Sequence, residues 1–167
     1  MENIQSPLWS VKYGPKTLDD FYGNEKVKAQ LKKYVEQQNM PNLLFTGQES
    51  TGKQTLINLF VKEFLKEEYN LNYSLLFAED PLTDTDKDLV KSQSYISTSR
   101  IGSAGGSRFN YPPFIQSKVK PFAEIKRYGN APFKILCVNK FDELQKEQPG
   151  FRRLMEMYSS NVRFILV

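Results

Sequence analysis

Short apolar runs and helix-spaced apolar positions take turns along this chain. Asn42-Leu43-Leu44-Phe45-Thr46, Tyr73-Ser74-Leu75-Leu76-Phe77-Ala78, Phe133-Lys134-Ile135-Leu136-Cys137-Val138 and Val162-Arg163-Phe164-Ile165-Leu166-Val167 have the length and apolar density of buried strands. Between them, apolar residues recur at helical intervals: Val27, Leu31, Tyr34 and Val35; then Leu56, Leu59, Phe60, Phe64 and Leu65. Ile115, Val119, Phe122, Ala123 and Ile125 form a third such set, and Phe151, Leu154, Met155 and Tyr158 a fourth. Asn24 is placed to cap the first helix, and Asn39-Met40-Pro41 to end it, because the residue before proline disfavours the α region. The second helix is predicted to run to about Tyr69, and Pro121 must interrupt or kink the third. Strands alternating with helices predict an α/β fold with a parallel sheet, whose ligands sit at the carboxyl ends of the strands.

Two segments break this rhythm. Asp80 to Pro113 is the least regular stretch, with Tyr95-Ile96-Ser97-Thr98 reading as a short strand in a hairpin and Gly102–Ser107 as a flexible loop. The last strand runs into Val167, although parallel strands are usually buried on both faces. The expectation is a fragment of a longer protein, cut inside or at the edge of its domain; the alternative is an edge strand at a natural terminus.

Composition narrows the classes. The 167 residues suffice for one domain with a real core, and a mean hydropathy of -0.53 with 25% charged residues fits a soluble protein. No stretch is long and apolar enough for a membrane span, and Met1–Ser6 lacks the basic and apolar regions of a signal peptide. Cys137 is the one cysteine, so there is no disulfide framework, and a reducing compartment fits. With no histidine, His-based acid–base chemistry is excluded and a zinc site is disfavoured. A net charge of +4 permits an anionic partner without demanding one.

The chemistry concentrates in Gly47-Gln48-Glu49-Ser50-Thr51-Gly52-Lys53-Gln54-Thr55. It fits the phosphate-binding pattern G-x-x-x-x-G-K through Lys53, between a predicted strand and a predicted helix. There, backbone N–H groups and a helix N-terminus can face an anion. The bland alternative is an ordinary strand–turn–helix with a chance Gly-Lys pair. At the next position, where a Ser or Thr hydroxyl would help hold Mg²⁺, stands Gln54. The loop can cradle phosphates but is poorly built to position the metal.

Several segments together resemble the small subunits of replication factor C, the sliding-clamp loader of the AAA+ ATPases. Trp9-Ser10-Val11-Lys12-Tyr13-Gly14-Pro15-Lys16-Thr17-Leu18 is similar to that family's W-x-x-K-Y-R-P-x-x-L, with Gly14 in place of Arg. Met40–Phe45 leads into the phosphate loop as in the family, and Phe151–Leu166 is similar to L-R-R-T-M-E-x-Y-S-x-N-x-R-x-I-L. The resemblance covers most of the chain outside about 80–113. It implies one AAA+ P-loop domain over 1–167, a parallel sheet flanked by helices, truncated before the last strand and lid. It also implies an ATP or ADP ligand and, as partners, the other subunits of a hetero-pentamer, the sliding clamp and primer–template DNA in the nucleus. Arginine finger, sensors, lid and collar would lie beyond Val167.

The same resemblance points to lost catalysis. Where the family carries a D-E-A-D box, this chain has Asn139-Lys140-Phe141-Asp142, so an amide and a cation replace the metal-binding Asp and the water-activating Glu. With Gln54, this pattern resembles the eukaryotic members whose ATP site is degenerate; Phe114-Ile115-Gln116-Ser117 is similar to their V-I-Q-E. The implied role is architectural, with little or no hydrolysis. A hydrolysing ATPase, a subunit shared with a checkpoint clamp loader and an interaction domain without nucleotide remain as rivals. Asp142 and Glu143 are either displaced carboxylates or solvated helix-start residues. By resemblance Tyr13 and Pro15 lie near the adenine. Gln116, Lys118, Lys120, Lys126 and Arg127 would line DNA through phosphate contacts, their bland reading being a solvated helix face. Arg152 and Arg153 either couple subunits or are simply solvated.

Overall fold

A computed structural model of the chain describes residues 8–88, 113–144 and 148–167. The strand predicted at 95–98 and the loop at 102–107 lie outside the described residues. The strands β1 (Leu43–Leu44), β2 (Tyr73–Phe77), β3 (Lys134–Asn139) and β4 (Val162–Leu166) form one parallel sheet in the order β1-β4-β3-β2. Around it lie α1 (Trp9–Lys12), α2 (Glu25–Gln37), α3 (Lys53–Leu65), α4 (Tyr69–Asn72), α5 (Lys120–Glu124) and α6 (Gln148–Met157).

Successive side chains of a strand point to opposite faces, so β3 feeds two cores at once. Ile135 and Cys137 enter one core with Leu31, Ile57, Phe60 and Phe64 of α2 and α3. Leu136 and Val138 enter a second core with Ile115, Val119 and Ala123 and with Phe151 and Leu154 of α6. Each fully buried side chain of this size contributes roughly 1.5–3 kcal/mol. Aromatic contacts join the layers: Phe64 stacks on Phe133 at 5.3 Å, and Phe141 meets Phe151 edge-on at 5.1 Å. The parallel three-layer arrangement is the one expected from the strand and helix pattern. β4 is a central strand between β1 and β3 rather than an edge strand.

Local differences have local causes. α3 stops at Leu65 rather than near Tyr69, because Lys66 turns to φ 51° and a 3₁₀ turn, Lys66–Glu68, leads into α4. That corner is held by Asn72, which is fully buried and bonds both the carbonyl (2.9 Å) and the N–H (2.8 Å) of Tyr128. Glu68 accepts from the Asn130 N–H at 2.7 Å, and Gly129 turns the chain at φ 67°, in the left-handed region that favours glycine. Asn24 occupies the N-cap position of α2 but has φ 51° and makes no side-chain cap; its carbonyl accepts from the Lys28 N–H. Pro121 cannot donate to the preceding turn, and the helix widens to a π turn over Ile115–Val119 before α5. β1 is short, yet the Phe45 N–H still reaches the Leu166 carbonyl at 2.8 Å.

Candidate functional site

The ends of three strands open onto one cleft of about 920 Å³. Its walls are Leu44–Gly47 after β1, Asn139–Asp142 after β3, Leu166 and Val167 from β4, and Glu49, Ser50 and Gly52–Thr55 of the loop and first turn of α3. This is the carboxyl edge of a parallel sheet, where the sequence placed the ligand. The loop turns through left-handed backbone at Ser50 (φ 59°) and Gly52 (φ 82°). A Cβ at Gly52 would stand 3.2 Å from two atoms of the Phe21 ring. Phe21 thus buttresses the loop from the N-terminal segment, which is tied down by Leu18, whose N–H donates to Glu63 at 2.7 Å. Lys53 curls over the loop, its Nζ donating to the carbonyls of Gly47 (2.8 Å) and Gln48 (2.6 Å). Thr51 Oγ1 donates to the Gln48 carbonyl at 2.8 Å and closes the turn.

Behind the loop, the positions that depart from the ATPase pattern meet one another. Asn139 Nδ2 donates to Gln54 Oε1 at 3.4 Å, and Gln54 Nε2 donates to Asn58 Oδ1 at 3.0 Å. The Tyr73 hydroxyl donates to the same Asn58 oxygen at 3.1 Å, and the Lys140 N–H donates to Asn139 Oδ1 at 2.9 Å. Cys137 Sγ lies 4.0 Å from Gln54 Oε1. The network is neutral: burial pushes the Cys137 thiol up to about 12, and burial followed by the Cys137 neighbour raises the Tyr73 phenol. Lys140, at φ 54°, sends its ammonium to Glu79 Oε1 at 2.6 Å, and Glu79 holds that ammonium above the usual lysine value.

The remaining predicted residues scatter. Tyr13 is exposed, stands edge-on to Trp9 at 6.4 Å, and neither it nor Pro15 lines the cleft. Gln116 is buried, and Lys118 Nζ pairs with Asp86 at 2.8 Å, which holds that carboxyl down to about 2 with help from Thr83. Lys120 pairs with Glu124 at 3.5 Å, and Arg127 donates to the Pro132 carbonyl at 3.1 Å. The helix ends at Glu124, so Lys126 and Arg127 follow it in a loop and share no helix face with Lys118. Arg152 and Arg153 are on the exposed face of α6, with Arg152 3.4 Å from Glu156. Asp142 lies in the 3₁₀ turn Phe141–Leu144 and lines the cleft; Glu143 is exposed in the same turn. Sequence reasoning does not reach Phe21, Asn58, Tyr73 and Glu79 as site residues, because their partners are distant along the chain.

No family model matches the chain. It is similar to the replication factor C small subunit of Staphylothermus marinus, 34% identical over 167 residues, 99% of this chain and 42% of the relative. Those of Saccharolobus solfataricus (34% over 164 residues, 98% and 41%) and Archaeoglobus fulgidus (34% over 167 residues, 99% and 43%) agree. The chain is a homologue of the replication factor C small subunits. It spans about two-fifths of the length of the curated relatives it matches.

The expected nucleotide and the doubtful Mg²⁺ fare differently at this cleft. A nucleotide fits its size, its glycine-turned loop and Lys53. Mg²⁺ needs near-octahedral oxygens, normally including carboxylates. Gln54 Oε1 and Asn139 Oδ1 already accept hydrogen bonds within the network, and neither is a carboxylate. At those two positions the donor set does not suit that ion; the carboxylates on the cleft wall are Glu49 and Asp142. Among the described residues no helix is long and apolar enough to cross a membrane.

Proposed function

We propose that this chain is the nucleotide-binding domain of a clamp-loader small subunit, holding ATP or ADP with little or no hydrolysis and serving an architectural role. The observation that carries this reading is the pairing of an intact phosphate cradle with a disarmed wall. Gly47, Gly52 and Lys53 shape the cradle, while Gln54, Asn139 and Lys140 stand where hydrolysis needs a metal ligand and a group to orient water. In this reading Gly47–Thr55 wrap the phosphates, and Tyr13 and Pro15 approach the adenine once neighbouring chain or subunits cover them. The partners are the other clamp-loader subunits, the sliding clamp and primer–template DNA, with phosphate contacts from Lys118, Lys126 and Arg127 and with Arg152 and Arg153 at a subunit boundary. The clamp-loader assignment is supported by the name that the relatives share and by similarity over nearly the whole chain.

A hydrolytic rival is favoured by one feature, the placing of Asp142 and Glu49 on the cleft wall. Calorimetric titration with ATP and ADP, run beside a phosphate-release assay, separates the two. Binding without release is expected. Release that Lys53→Ala abolishes would establish the rival, and absence of binding would leave only an interaction domain.

A further inference from the structure

We propose that the cleft takes the phosphate chain of a nucleotide without a divalent cation, with the Lys140 ammonium, released from Glu79, supplying the charge that a metal would otherwise bring. The inference rests on the nucleotide reading above and adds how the phosphates are neutralised. A nucleoside di- or triphosphate carries several negative charges, and an enclosed polyphosphate needs counter-charge. Gln54 and Asn139 cannot attract it, being neutral and tied to each other, to Asn58 and to the Lys140 N–H. Among the described residues the cations on the cleft wall are Lys53 and Lys140, and the carboxylates are Glu49 and Asp142. Lys53 lies over the loop on the carbonyls of Gly47 and Gln48. Lys140 follows β3 on another wall of the same cleft, and its ammonium now lies on Glu79, so it must leave Glu79 to reach a phosphate held by the loop.

The present partner of Lys140 is a weak competitor. Lys140 and Glu79 are each about half exposed (46% and 52%), and ion pairs in that setting are worth little. A phosphate oxygen offers a doubly charge-assisted hydrogen bond inside a cleft, where screening by water is lower. Glu79 therefore acts as a parking place: it keeps the ammonium charged and oriented until a phosphate displaces it. Glu79 follows β2, beside β3 in the sheet, within reach of Lys140 at the end of β3.

The test is calorimetric binding of ATP, ADP and AMP to the full chain, in EDTA and again in excess Mg²⁺. Wild type should bind ATP and ADP in EDTA, and excess Mg²⁺ should weaken that binding, ATP more than ADP, because the ion competes with the cleft for the phosphates. Lys140→Gln should weaken ATP and ADP by about tenfold in EDTA while changing AMP little, because AMP lacks the outer phosphates. Glu79→Gln should tighten ATP and ADP about two- to threefold by freeing the ammonium. Both side chains are solvent-exposed, and matching thermal melts confirm that fold loss is not the cause. Affinity that is unchanged or tighter on adding Mg²⁺, or wild-type affinity in Lys140→Gln, overturns the inference while leaving nucleotide binding intact. No binding in either buffer overturns the nucleotide reading itself, and this inference with it.

Discussion

Gly52→Ala tests the loop and its buttress together. The substitution has two opposing effects that the structure allows to be weighed. Alanine loses less chain entropy on folding than glycine, a gain of about 0.4–1 kcal/mol where the backbone suits it. At Gly52 it does not: φ is 82°, and a left-handed backbone costs a residue with a Cβ roughly 1–2 kcal/mol. The new methyl would also stand 3.2 Å from Cε2 and Cζ of Phe21, tighter than ordinary contact, so the ring must move. Pushing a partly packed ring aside adds about 1 kcal/mol. The net expectation is a loss of about 1.5–2 kcal/mol. Gly23→Ala is the built-in control, since Gly23 has a similar φ of 89° but nothing within 4 Å of its Cβ position. Urea unfolding, analysed at constant m, should place Gly23→Ala near 0.5–1 kcal/mol of loss, so that the difference between the two reports the Phe21 contact. Phe21→Leu in the Gly52→Ala background should recover about half of that difference by shortening the side chain. If Gly52→Ala is no worse than Gly23→Ala, or if Phe21→Leu gives no relief, the N-terminal segment does not buttress the loop and the reasoning is wrong.

Removing the Asn72 amide should be more damaging than its position between two short elements suggests. Asn72→Ala leaves the Tyr128 N–H and carbonyl without their side-chain partner and should cost about 2–4 kcal/mol in urea unfolding; a loss under about 1 kcal/mol would mean that water or backbone replaces it. The Cys137 thiol titrates near 9 when unfolded and near 12 when folded, so its contribution to stability is complete below about pH 9 and is lost as pH rises toward 12. Stability of the wild type should therefore fall more steeply than that of Cys137→Ala between those limits. The native thiol should also resist alkylation until the protein unfolds; rapid labelling at pH 8 would contradict this burial.

Much of the architecture is legible in the sequence because it is local. Leu56, Leu59, Phe60 and Phe64 announce a helix by spacing, and Ile135–Val138 announce a strand buried on both faces by being apolar at every position. The phosphate loop is legible for the same reason: its turn needs glycine and lysine within a few residues. Where backbone geometry depends on a neighbour, the pattern misleads. The spacing predicts one helix to about Tyr69, but Asn72 and Glu68 are claimed by the 128–130 turn, and the helix breaks at Lys66 to let them reach it. Lys126 and Arg127 look like a continuation of the basic helix, whereas Lys134 Nζ takes the carbonyls of Phe122 and Ile125 and the helix ends at Glu124.

The sequence by itself therefore determined the element types, the α/β class, the glycine turn around Lys53 and the three replacements at Gln54, Asn139 and Lys140, because each is a property of a residue or a short window. Tertiary structure alone decided that β4 runs between β1 and β3, that Phe21 lies on Gly52, and that Lys140 rests on Glu79. It also decided that Gln54 and Asn139, far apart along the chain, close on each other in a neutral network behind the phosphate loop. Those are contacts between distant segments, set by how the strands order themselves in the sheet, and no periodicity within one segment encodes them.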